Sequence, residues 1–160
     1  MPTDAPFIFS IAGISASLAG LAGLVAGLRR GAEFRALDLY RLREIVEFAF
    51  SNVLLALATI PVLAITGNAA EGLRATAIVV LFYAALHIGV LVRRSRRHGL
   101  ERSIAWYVGA GLLDIATLVG VAATVAYGSS GAFEALLLVM LARPMFAFVL
   151  VLTSFESSAP

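Results

Sequence analysis

The chain contains no cysteine, no lysine and only two histidines. Without cysteine there are no disulfides, thiolate metal sites or thiol nucleophiles. Without lysine there is no amine to form a Schiff base with retinal or pyridoxal. Two histidines, one of them (His98) in an arginine-rich stretch, cannot give a lone intramembrane haem both of its axial ligands. Charge is also scarce, at 14% of 160 residues against about a quarter in soluble domains. No Ser/His/Asp grouping, glycine-rich phosphate loop or zinc-protease motif is present. These absences point away from an enzyme and give no basis for a cofactor or a bound metal.

What remains is apolar: 61% of residues are hydrophobic and mean hydropathy is +0.96. A soluble fold of this size could not hide so much apolar surface. Crossing a hydrocarbon core about 30 Å thick takes roughly 20 apolar residues in an α-helix. Five segments meet that length, at about 7–28, 45–66, 73–92, 104–127 and 132–155. The joints are too short for another domain. The expectation is therefore a single all-α transmembrane domain over residues 1–160, a five-helix bundle.

The arginines give that bundle a direction, because basic residues in short loops stay on the cytoplasmic side. Arg29, Arg30, Arg35, Arg41 and Arg43 follow the first span, and Arg93, Arg94, Arg96, Arg97 and Arg102 follow the third. The opposite joints carry Glu71, Arg74 and the turn Gly128-Ser129-Ser130-Gly131. The expected topology has the N-terminus outside and the C-terminus inside, in the plasma membrane of a prokaryote. The basic joints are expected to contact anionic lipid headgroups, each arginine contributing about 1 kcal/mol, and not nucleic acid, which would need an exposed basic domain. Residues 31–44 interleave charge with Phe34, Leu37, Tyr40 and Leu42, the pattern of an amphipathic segment lying in the interface.

Within the spans, polar residues at membrane depth are the candidates for function. On the fourth span Tyr107, Asp114, Thr117 and Thr124 share a face through spacings of seven, three and seven. On the fifth, Arg143 is followed by Pro144. Counted from the turn at 128–131, Asp114 and Arg143 differ in depth by roughly 3 Å at about 1.5 Å per residue. An unpaired charge at the bilayer centre costs at least about 2.5–3.5 kcal/mol, so the two are expected to form an ion pair inside the bundle, beside a proline kink. Glu47 and His87 lie near the cytoplasmic ends of adjacent spans and form a candidate titrating pair. Asn52 and Thr59, seven apart, read as interhelical hydrogen-bonding groups.

The first span is rich in small residues. Gly13, Ser17, Gly20, Gly23 and Gly27 form the candidate helix-packing surface, since small side chains at such spacing let helix backbones approach. That surface suits either a central place in the bundle or contact with a second copy or another membrane protein. Two functions follow. One is a non-enzymatic membrane protein acting by assembly, as a homo-oligomer or an accessory subunit of a complex. The alternative is a small transporter or channel protomer with a polar path around Asp114 and Arg143. A dry, satisfied ion pair would favour the first, and an open polar cavity the second.

Overall fold

The computed structural model describes residues 5–28, 36–98 and 104–156. They form five helices: α1 (Ala5–Leu28), α2 (Ala36–Thr66), α3 (Ala69–His98), α4 (Ile104–Tyr127) and α5 (Ser130–Glu156). Each is long and apolar enough to cross a membrane. Large apolar side chains are exposed on every helix, among them Phe9, Leu54, Phe82, Leu112 and Val149. Arginine and glutamate, by contrast, are buried between helices. That inversion suits a solvent of lipid, in which the outer face is apolar and polar groups turn to one another.

Two hairpins are built with the same local chemistry. Gly67 ends α2 at φ +61° and Gly128 ends α4 at φ +59°, a left-handed conformation glycine adopts without strain. The residue after each glycine caps the next helix. The Asn68 side-chain oxygen accepts from the Ala70 amide at 3.0 Å, and the Ser129 hydroxyl accepts from the Ala132 amide at 3.3 Å. The two turns meet at one end of the bundle. There Arg74 of α3 donates to the carbonyls of Val125 and Ala126, at 2.9 and 3.4 Å, satisfying two acceptors left over at the end of α4.

α5 packs against all four other helices. The ring α2, α3, α4, α5 closes through neighbour contacts, with α1 docked outside it on α2 and α5. The backbones of α2 and α4 stay apart, their side chains meeting where Phe48 packs in one apolar cluster with Trp106 and Ala110, and α3 meets α5 only lightly. The half of the ring near the two turns is filled by Leu55, Leu73, Val80, Phe133, Leu136 and Leu137. The other half is not filled by apolar side chains alone.

Two sequence readings change here, and a third falls largely outside the described residues. Residues 36–44 are the first turns of α2, continuous with the span, and not a separate interfacial helix; residues 31–35 lie outside the described part. The reason is that Asp38, Arg41, Leu42 and Glu44 are buried against neighbouring structure, so polarity does not mark a boundary at residue 44. α1 is peripheral and buries Ile8, Ile11, Ala12, Ser15, Ala19 and Ala22. Its glycine surface faces outward: Gly13, Ser17, Gly20, Gly23 and Gly27 are exposed, and a Cβ at any of the four glycines would meet nothing within 4 Å. Arg29 and Arg30 lie outside the described residues, as do the side chains of Arg94, Arg96 and Arg97, whose backbone continues α3; Arg93 is exposed.

A buried guanidinium and the cleft beside it

The polar centre forms where the α2 and α4 backbones stay apart. Arg143 of α5 reaches both: its guanidinium pairs with the Asp114 carboxylate of α4, and its other terminal nitrogen lies 3.9 Å from a carboxylate oxygen of Glu44 on α2. The Arg143 and Glu44 side chains are 9% and 4% exposed, whereas Asp114 keeps 31% of its surface. The guanidinium also sits 4.6 Å from the centre of the Phe48 ring, a cation–π contact that strengthens away from water. One arginine thus bridges two helices whose backbones stay apart, beside the apolar cluster of Phe48, Trp106 and Ala110.

Local sequence explains how these groups come to face inward. Glu44, Phe48 and Asn52 are four apart and stack on one face of α2. Tyr83 and His87 do the same on α3, with the Tyr83 hydroxyl 3.4 Å from His87 Nδ1 and the His87 ring centred 4.1 Å from that of Phe48. Asp114 and Thr117 are three apart on α4. On α5, Pro144 supplies no N–H and so deprives the Met140 carbonyl of its helical donor.

Phe48, Asn52, Tyr83, His87, Asp114, Thr117, Met140 and Arg143 line a cleft within the four-helix ring. The space in it open to the centre of a water molecule is about 30 Å³. A single water needs about 10–15 Å³ on that measure, so the cleft holds one or two water-sized species and no larger substrate. Asn52 is 1% exposed, yet neither its amide nitrogen nor its amide oxygen has a hydrogen-bond partner among the described residues. A buried amide left unpaired costs roughly 1–3 kcal/mol. Thr117 donates its hydroxyl hydrogen to the Leu113 carbonyl at 2.8 Å, so its oxygen can only accept.

The remaining candidates fall elsewhere. Tyr107 is 54% exposed and packs edge-on against Trp106, away from the cleft. Thr124 is buried nearer the turns and bonds the Gly120 carbonyl, as Thr59 bonds that of Leu55. Glu47, two-thirds buried, accepts from Arg43 one turn earlier at 2.7 Å. Pro144 is buried beside Arg143.

Glu44 and the role of Asn52 were not foreseen from sequence. Glu44 stood outside the expected span, and only its four-residue spacing to Phe48 and Asn52 marked it as part of an inward face. Among the described residues no group of three or more His, Cys, Asp or Glu side chains is placed to hold a metal ion. Searches of known protein families, of curated proteins and of solved structures find no match to this chain.

Proposed function

We propose that the protein is a small, non-enzymatic transporter or channel protomer whose path runs through the cleft beside Asp114 and Arg143. The observation that carries this reading is the Asn52 amide, buried in the cleft wall with neither end paired. A purely structural ion pair has no use for an unsatisfied amide beside it. Asp114, 31% exposed, also keeps the cleft from being sealed. The direction proposed is N-terminus outside and C-terminus inside a prokaryotic plasma membrane, with the arginine joints on anionic headgroups. Single cysteines at positions 130 and 98 should then label from outside and inside respectively, and the reverse pattern would invert the topology.

The functional test is flux. In proteoliposomes the protein should dissipate a gradient of sodium or potassium chloride faster than protein-free vesicles, and Asp114→Asn should abolish the difference. Rates equal to those of empty vesicles in both salts would remove the transport reading.

A second reading, action through assembly, is favoured by α1. Its outward glycine surface is apolar and smooth, because Ser10 and Ser17 turn their hydroxyls to the Pro6 and Gly13 carbonyls of their own helix. Such a surface suits a closely packed helix of a second copy or another membrane protein. Native mass spectrometry after gentle extraction should show an oligomer or a stoichiometric complex that Gly13→Ile disrupts; a monomer throughout would end this reading.

A further inference from the structure

The Asn52 amide is the part of the cleft wall that the bundle leaves unanswered. It lies near the middle of the α2 span, is 1% exposed, and has no partner at either end among the described residues. Asp114 and Arg143, in the same wall, are paired with each other. What the amide requires is therefore a hydrogen-bonding group and not a counter-charge, one that donates to its oxygen and accepts from its nitrogen. The Thr117 oxygen, its hydrogen given to the Leu113 carbonyl, is a further acceptor in the wall.

The cleft also has an open side. Its residues from α2 and α5, Phe48, Asn52, Met140 and Arg143, are at most 8% exposed, whereas Ile88 of α3 is 36% exposed and the Asp114 side chain of α4 31%. The opening is thus between α3 and α4. Leu81 and Leu118, one turn from Ala84 and Asp114 respectively, are exposed and apolar. Asp114 and Thr117 fall in the middle of the α4 span, so a molecule entering here comes from the hydrocarbon of the bilayer.

We infer that the cleft binds one neutral hydroxyl group on Asn52, the polar end of a lipid-soluble alcohol entering between α3 and α4. Water carries the same chemistry and is the other source of that hydroxyl. A hydroxyl both donates and accepts, so it answers both ends of the amide. A ketone, ester or ether only accepts and would leave the amide oxygen unpaired. Size agrees, because about 30 Å³ receives a hydroxyl and its carbon while the alkyl chain stays outside in lipid. The inference concerns what the cleft binds and does not depend on transport.

The experiment is photolabelling of the full chain in vesicles with octanol bearing a diazirine beside its hydroxyl, read by peptide mass spectrometry. Label should concentrate on Phe48, Ala84 and Ile88, and plain octanol should compete several-fold better than octane or methyl hexyl ketone. Asn52→Leu should abolish that preference while keeping Tm at or above the wild-type value, since it removes an unpaired amide. Ala84→Phe, which narrows the opening, should abolish the labelling itself. X-ray radiolysis, which oxidises side chains beside bound water, separates the two sources. With water as the ligand, Met140 should oxidise several-fold faster in the wild type than in Asn52→Leu, without octanol-specific labelling. Competition by octane equal to that by octanol, or a preference for octanol that survives Asn52→Leu, would overturn the proposal by showing an apolar pocket alone. Absence of both octanol-specific labelling and Asn52-dependent oxidation would overturn it equally.

Discussion

The two halves of the ring use arginine in opposite ways. At the turn end, Arg74 lies at the surface and serves as a cap on α4, while the interior beneath it is apolar and filled by Leu73, Phe133, Leu136 and Leu137. In the other half Arg143 is itself the interior, bridging α2 and α4 through Glu44 and Asp114. Close packing holds helices wherever side chains interdigitate, and nothing in that half needs a ligand. A buried ion bridge holds helices apart at a fixed distance, and that spacing leaves room for a cleft. The comparison teaches that the cleft and the bridge adjoin: Arg143 spans the gap between the α2 and α4 backbones, which side-chain packing of Phe48 with Trp106 and Ala110 closes only in part.

The comparison is broken most directly by Arg143→Gln. It leaves Glu44 and Asp114 without their shared cation, and removing one member of a buried charge cluster costs about 3–5 kcal/mol. Thermal unfolding in detergent should show the largest loss of any single change here; a shift no greater than that of a surface substitution would mean the bridge contributes nothing. Asp114→Asn should cost less, about 1.5–3 kcal/mol for a charged hydrogen bond, because Arg143 keeps Glu44. Combining it with Arg143→Gln should recover part of the arginine variant's loss. Strict additivity of the two would show that they do not interact.

Packing in the half that holds Arg143 can be probed by adding volume, with the outer face of α1 as the contrast. A Cβ at Gly109 would overlap the Phe146 ring, whereas one at Gly13 meets nothing within 4 Å. Gly109→Ala should therefore destabilise by about 1–3 kcal/mol through overpacking. Gly13→Ala should be neutral or stabilise by up to about 1 kcal/mol, from helix propensity alone. Equal effects in the isolated chain would mean that α1 is covered on its glycine side.

How much of this was legible in the sequence follows from what each signal measures. The five spans were legible because run length and hydropathy are set by the bilayer and do not depend on neighbours. The closeness of Asp114 and Arg143 was legible because a four-residue turn fixes the register of two antiparallel helices. Glu44 was not, because a charged residue beside a span reads the same whether it faces headgroups or a buried arginine; only the course of α5 decides. Tyr107 shares a helical face with Asp114 but lies two turns away, and face alone does not say where a cleft ends. The glycines of α1 showed that a close approach was available and could not show that nothing within the monomer makes it.

Arg74 supplies the smallest and most discriminating change. It donates to two carbonyls at the C-terminal end of α4, where helix carbonyls lack internal donors and carry partial negative charge. Because Arg74 is exposed, water or headgroups can replace it. Arg74→Gln should accordingly cost no more than about 1 kcal/mol, in the range of a terminal charge on a helix dipole. The same chemical change in the two halves, arginine to glutamine, then differs several-fold in consequence. If the two losses proved equal, the Gly128 turn would be the weaker point. Gly128 lies against Ala70, with 2.9 Å separating that methyl from a Cβ placed at Gly128, and the Arg74 side chain is its other neighbour. Loss of Arg74 would then loosen both hairpins together, and hydrogen exchange at Gly72 and Phe133 would rise in concert, since their amides close the first turns of α3 and α5.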